Sequence, residues 1–182
     1  MPAKTHHTAV IAMPPPEVWE PIQAIRRQYD RQITRWMPHV NLLYPFWPRE
    51  QFTAALPLLQ AVGAGLAPFQ ACLTTVQSFT HARGRATLWL TPEPREAFVA
   101  LQAALQAAFP DCQEQGRFAR GFTPHLSVGQ ADSAAERQQL LPRVQALWQP
   151  LAFRLEAVQL IWRQADGPFQ VAQTIPLGPP GV

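Results

Sequence analysis

Two short stretches of the chain share one form: His39-Val40-Asn41-Leu42 and His125-Leu126-Ser127-Val128. Each places a histidine, then a small polar side chain two positions on, with aliphatic residues in the alternate places. On a β-strand successive side chains point to opposite faces. The histidine therefore shares a face with Asn41 or Ser127, while Val40 and Leu42, or Leu126 and Val128, share the other. Each motif directly follows a proline, Pro38 or Pro124. A strand that presents an imidazole beside a hydrogen-bonding group, over an aliphatic back, is a half-site, and two half-sites can face one ligand. Phosphodiester chemistry needs such a pair, because one group must take a proton while the other gives one. An unperturbed imidazole titrates at about pH 6.5, so both forms are at hand near neutrality.

The pair resembles the two His-x-Thr/Ser-hydrophobic motifs of the two-histidine phosphoesterases, the group named after 2′-5′ RNA ligase and RNA cyclic phosphodiesterase. Trp36-Met37-Pro38-His39-Val40-Asn41-Leu42-Leu43-Tyr44-Pro45-Phe46 is similar to the first motif and its flank, and Phe122-Thr123-Pro124-His125-Leu126-Ser127-Val128 to the second. The resemblance spans nearly the whole chain. It departs at Asn41, where the first motif usually carries a hydroxyl. It implies a metal-independent phosphodiesterase that opens 2′,3′-cyclic phosphates at RNA ends or on small nucleotides, with reverse 2′-5′ ligation as the family name implies. The alternative is a non-catalytic nucleotide- or RNA-end-binding module with a decayed site.

On that reading His39 and His125 are the catalytic pair, and Asn41 and Ser127 donate hydrogen bonds to the phosphate oxygens, where charge builds in the transition state. Arg117 and Arg120 are candidates for a neighbouring phosphate. Phe122 is a candidate to stack on a base, or a core residue. Tyr44 falls on the opposite strand face from His39 and reads as core. His6, His7 and His81 have no partner pattern, and no Asp or Glu stands at ligand spacing from either motif, so no metal and no cofactor are expected.

The elements that must position these groups follow from periodicity. Thr8 to Ala12 reads as a strand. Pro16 to Tyr29 reads as a helix with Val18, Ile22, Ile25 and Tyr29 on one face, its first turn disturbed by Pro21. His39 to Phe46 is the first histidine strand, and Arg49 to Val62 the second helix. A hairpin of Phe69 to Phe79 and Arg85 to Leu90 turns at His81 to Gly84. Pro92 and Pro94 precede a third helix with Phe98, Leu101, Leu105 and Phe109 as its stripe. A polar loop, 111–122, leads into the second histidine strand. Ser133-Ala134-Ala135-Glu136 has the form of a capping box and opens a fourth helix to Trp148. Phe153 to Trp162 and Phe169 to Leu177 read as two last strands, joined by a turn at Asp166-Gly167.

After each histidine strand the order is helix, strand, turn, strand. Aligning His39 with His125, Phe69 with Phe153 and Val76-Gln77 with Val158-Gln159 points to a diverged duplication. The expected fold is α+β: two similar lobes, antiparallel sheets with flanking helices about a pseudo-twofold axis, and a central cleft carrying both motifs. Residues 1–182 form one two-lobed unit with a loose tail over 178–182.

Composition narrows the class. Fifteen Lys and Arg against twelve Asp and Glu leave a net charge of +3, a mild bias toward anionic partners without the dense basic stripe of a nucleic-acid tracker. Cys72 and Cys112 have no Cys-x-x-Cys context and read as small hydrophobes in a reducing compartment. No apolar run reaches membrane-spanning length. The expectation is a cytoplasmic monomer whose partner is an RNA end or a small cyclic nucleotide, with no membrane contact.

Overall fold

Alternating burial sets the orientation of both histidine segments. Pro38, Val40 and Leu42 are buried, while Met37, His39 and Asn41 keep one side open. Pro124, Leu126 and Val128 are buried in the same rhythm, with Thr123, His125 and Ser127 open. Val40, Leu42, Leu126 and Val128 each retain no more than 2% of their surface. Burying an aliphatic side chain of this size contributes about 1.5–3 kcal/mol, so the backs of the two strands hold their fronts in place.

The computed structural model describes residues 3–116 and 121–179. In chain order the elements are β1 (Thr8–Ala12), α1 (Trp19–Tyr29), β2 (Val40–Leu43), α2 (Phe52–Ala64), β3 (Phe69–Thr80), β4 (Ala86–Glu93), α3 (Arg95–Ala108), β5 (Leu126–Ala131), α4 (Ala134–Leu147), β6 (Leu151–Leu155), β7 (Ala157–Trp162) and β8 (Gln170–Pro176). Both histidine ladders begin one residue after the histidine. Pro21 falls in the first turn of α1, where a missing N–H costs nothing. The capping box forms with a shift. The Glu136 N–H donates to Ser133 Oγ (3.1 Å), while the Glu136 carboxylate accepts from the N–H of Asp132 (2.6 Å), one residue earlier than the usual return bond.

The strands make two four-stranded sheets, β2-β1-β7-β8 and β5-β4-β3-β6, with every pairing antiparallel. Written in this order the sheets are counterparts. Asn41 on β2 pairs with Ile11, which pairs with Gln159 on β7; Ser127 on β5 pairs with Trp89, which pairs with Gln77 on β3. The β1–β2 ladder slips between Val10 and Ile11, and the β4–β5 ladder slips at the equivalent place, between Leu88 and Trp89. A bulge at the same position in both halves is the backbone signature of the pseudo-twofold relation. Helices cross between halves: α1 packs on β5, α3 on β2, and β2 itself touches β5. One core runs between the sheets, and a smaller cluster of Ala9, Ile11, Ile161 and Phe169 covers the other face of the first sheet, with Trp36 and Tyr44 against it.

Two expectations are corrected here. Phe153 to Trp162 is not one strand: it breaks at Glu156, and β6 pairs with β3 while β7 pairs with β1 in the other sheet. The residue pattern changes at the break. Phe153 and Leu155 alternate inward, whereas Val158 to Ile161 are all buried, because β7 is a central strand with Val158 and Leu160 in the main core and Ile161 in the smaller cluster. The Val76-Gln77 and Val158-Gln159 match therefore holds topologically, and the Phe69–Phe153 match does not, since Phe153 pairs with Ala71 beside it. At the other end, the Gly178 N–H donates to the Gly63 carbonyl (3.0 Å), and Pro180 to Val182, the end of the segment expected to be a loose tail, lie outside the described residues.

Candidate functional site

His39 and His125 are held in the same way. His39 Nδ1–H donates to the Met37 carbonyl (2.7 Å) and His125 Nδ1–H to the Thr123 carbonyl (2.8 Å), in each case two residues back. A carbonyl can only accept, so both rings carry the Nδ1 proton and keep Nε2 as the working nitrogen. The rings are also clamped by aromatics. Trp36 stacks on His39 (centroids 4.4 Å apart, planes 15°). Phe79 meets His125 edge-on at 5.0 Å, with Trp89 at 6.0 Å.

Burial lowers both imidazoles. His39 is brought down to about 4, first by loss of solvent, then eased by the bond to Met37, with Arg26 and His125 pushing it further down and Asp30 opposing them. His125 is lowered by burial and partly restored by its bond to Thr123. Both rings are therefore neutral near pH 7 in the free protein.

A cavity of about 390 Å³ opens over this region, lined from β2 and its flanks by Trp36, His39, Asn41 and Tyr44, from β4 by Thr87, and from β5 by Ser127 and Gln130. The structure thus brings together His39, Asn41 and Ser127 at one lining, and His125 shares the open face of its segment with Ser127. Asn41 Oδ1 is buried without a hydrogen-bond partner. An unmet acceptor of this kind costs about 1–3 kcal/mol until a ligand or water supplies a donor.

The floor of the cavity is an ion pair. Arg26 and Asp30, each 2% exposed at the side chain, join through Nε and Oδ2 at 2.7 Å. Arg26 also donates to the Trp36 carbonyl (2.8 Å) and to Gln23 Oε1 (3.1 Å), and Asp30 Oδ1 accepts from the Gln32 N–H (2.8 Å) and from Gln130 Nε2 (2.9 Å). Arg31 stands at the rim, paired with Asp132. Among the described residues no three His, Cys, Asp or Glu side chains gather as a metal cluster, and no helix is long and apolar enough to cross a membrane.

Two further residues weighed in the sequence, Phe122 and Tyr44, can be placed. Phe122 is 6% exposed and part of the core, and it lines a separate cavity with residues of α3 rather than the one over His39. Its parity explains this, since Phe122, Pro124 and Leu126 share the buried side opposite His125. Arg117 and Arg120 lie outside the described residues. Tyr44, read as core, does pack against the smaller cluster and also lines the cavity: the ladder ends at Leu43, Leu42 and Leu43 are both buried, and the alternation lapses before Tyr44. Sequence reasoning also passed over Arg26, Asp30, Thr87 and Gln130. Arg26 carried a signal, as it lies four residues after Ile22 and three before Tyr29, a charged side chain inside the apolar stripe of α1.

Comparison with known proteins agrees with this fold. The family model described as the 2′-5′ RNA ligase superfamily matches residues 14–167. A Bacillus cereus protein carrying the name "Putative phosphoesterase" is 23% identical over 170 residues, covering 93% of this chain and 95% of that protein. The crystal structure of TT0787 from Thermus thermophilus superposes with a TM-score of 0.66 at 20% identity, covering 93% of this chain and 97% of the other. That of Escherichia coli LigT in apo form superposes with a TM-score of 0.63 at 16% identity, covering 97% and 99%.

Proposed function

Since the chain belongs to the 2′-5′ RNA ligase superfamily, we propose that it is a metal-independent phosphodiesterase that opens 2′,3′-cyclic phosphates at RNA ends or on small nucleotides, and that it joins 2′-5′ ends in the reverse direction. Family membership supports phosphoesterase chemistry in general. The observation that supports the finer reading is the matched anchoring of two imidazoles, each fixed through Nδ1 to the carbonyl two residues back and each leaving Nε2 free. Escherichia coli LigT has been crystallised with 3′-AMP and with phosphate, ligands of the size this cavity admits.

In the reaction one neutral Nε2 takes a proton from water as its oxygen attacks phosphorus. The other imidazolium gives its Nε2 proton to the ribose oxygen whose bond to phosphorus breaks. Ser127 Oγ and the Asn41 amide donate to the non-bridging oxygens. The acid form must first be made, because burial keeps both rings neutral. The negative charge of the bound phosphate favours that protonation.

The deciding experiment is turnover of a 2′,3′-cyclic nucleotide in the presence of excess chelator. Turnover is expected. Binding without turnover would leave an RNA-end-binding module instead. The pH profile carries a second expectation. Both pKa values lie below 6.5 in the free protein, so kcat/KM follows a bell with its maximum on the acid side of 6.5. The limits belong to the pair, not to either ring. In kcat the bell moves to higher pH, since the bound anion raises both groups. A flat profile, or a kcat/KM maximum well above neutrality, is incompatible with this pair.

Asn41 does not titrate, so its variants act on the height of the bell and not on its limits. Asn41→Ala is expected to lower kcat/KM by up to about 10²–10³, the cost of one lost contact to a developing oxyanion. Asn41→Thr changes the rate or the preferred nucleotide while leaving both limits in place. An unchanged rate in Asn41→Ala would show that Ser127 and the backbone hold the phosphate without it.

A further inference from the structure

Most arginines near the site are already neutralised: Arg26 by Asp30, Arg27 by Glu20, Arg31 by Asp132. Arg49 and Arg163 are not. Neither has a carboxylate partner among the described residues, and both line a cavity of about 380 Å³ that shares no residue with the one over His39. Arg49 lies flat on the Trp162 ring, its guanidinium carbon 3.6 Å from the centroid. A guanidinium seated on an indole face still carries its N–H donors at its own edge, the arrangement that suits bidentate phosphate contacts. Arg163 donates through one terminal nitrogen to the Ala165 carbonyl, and its Nε–H is buried without a partner. Glu50 is the one carboxylate of the lining, so two guanidiniums against one carboxylate leave this cavity with a net positive charge, His7 apart.

The cavity is connected to the histidine site by an aromatic path. Arg163 lies over Phe169 at 5.6 Å, Phe169 stacks on Trp36 at 3.8 Å, and Trp36 stacks on His39 at 4.4 Å. Beside it Tyr44, a lining residue of the His39 cavity, meets Trp36 edge-on at 5.2 Å and His6 edge-on at 5.2 Å. Exposure increases outward along this second path, from half-buried His39, Trp36 and Tyr44 to exposed His6 and His7. Phe169 is buried and acts only as a rigid link. Half-buried Tyr44 and exposed His6, however, lead from the His39 cavity toward His7 in the lining of the second. Open rings beside unpaired guanidiniums are the chemistry of a single-stranded nucleic-acid track.

We propose that Arg49 and Arg163 hold a phosphodiester further along the same RNA strand whose end is processed at His39 and His125. The substrate class is thus an oligonucleotide end rather than a mononucleotide. This rests on the phosphodiesterase reading above. The same phosphate chemistry has a second source, a free anion, and the test separates the two.

Rates are compared on a 2′,3′-cyclic mononucleotide and on a tetranucleotide ending in a 2′,3′-cyclic phosphate, for the wild type, Arg49→Gln, Arg163→Gln and the charge-keeping Arg163→Lys. The wild type is expected to prefer the tetranucleotide. Each Gln variant lowers its kcat/KM by about tenfold through KM, leaves the mononucleotide rate unchanged, and reduces the slope of log K against log salt by about 0.7, one phosphate contact on a single strand. Arg163→Lys retains most of the preference. Titration with a tetranucleotide 3′-phosphate and a mononucleotide 3′-phosphate reads the track by affinity alone, so absence of turnover on both cyclic substrates defeats the phosphodiesterase reading without deciding this one. Equal handling of long and short ligands by wild type and variants overturns the proposal. So does a result in which inorganic phosphate binding is lost in the variants while the tetranucleotide is bound and processed as before, which assigns the cavity to a free anion.

Discussion

Replacing His39 or His125 with Ala lowers turnover of a 2′,3′-cyclic nucleotide by about two to four orders of magnitude, the range for loss of a general acid or base. Both changes leave the fold standing. Each ring holds one hydrogen bond to a carbonyl of its own segment, and the strands behind them are fixed by Val40, Leu42, Leu126 and Val128. The double variant is expected to lose little more than either single one. A proton donor without its acceptor, or the reverse, forfeits the concerted step, and groups that act as a unit are not additive. His81, whose Nε2 meets the Thr87 hydroxyl at 2.8 Å on the exposed β3–β4 turn, is the control and should change the rate little. Stopped-time assays of product with thermal unfolding of each variant check all four proteins. If either single variant keeps most of its activity, the two-histidine mechanism is wrong.

The histidine pair was legible in the chain because a strand writes its two faces into alternate letters. Burial follows that alternation through both motifs, from Met37 to Leu42 and from Phe122 to Val128. Where the pattern stops being periodic, legibility stops with it. Tyr44 was assigned a face by counting from His39, yet the ladder had ended at Leu43. The break at Glu156 has neither Gly nor Pro to announce it. What distinguishes β6 from β7 is that one is an edge strand and the other is covered on both faces, a property of the assembled sheets rather than of the letters. The bulges that relate the two halves are equally silent in sequence, since Val10-Ile11 and Leu88-Trp89 have little in common beyond being apolar. Thr87 reaches the cavity from β4, which carries no motif, and Gln130 from the end of β5 beyond the motif, and the pairing of β4 with β5 sets them opposite each other.

Arg26→Met is expected to be the most destabilising single change near the site. It removes the partner of a carboxylate that is 2% exposed, and leaving a buried charge without its counter-ion costs about 3–5 kcal/mol. The Gln32 N–H and Gln130 Nε2 still reach Asp30 Oδ1, but nothing remains on the Oδ2 side. Adding Asp30→Asn to Arg26→Met should recover a large part of the loss. The amide keeps an oxygen for Gln32 and Gln130 and brings no charge, so a double-mutant cycle gives a strong coupling between the two positions. Activity is expected to respond differently from stability. Arg26 also donates to the Trp36 carbonyl, and the Trp36 ring is the face on which His39 rests. The double variant therefore regains its fold while the Trp36 carbonyl still lacks its Arg26 donor, and kcat stays reduced after the denaturation midpoint has returned toward wild type. Chemical denaturation and steady-state kinetics on the same three variants separate these contributions. A stability change within about 1 kcal/mol for Arg26→Met would mean that water reaches Asp30, and that the ion pair belongs to the surface of the site rather than to its foundation.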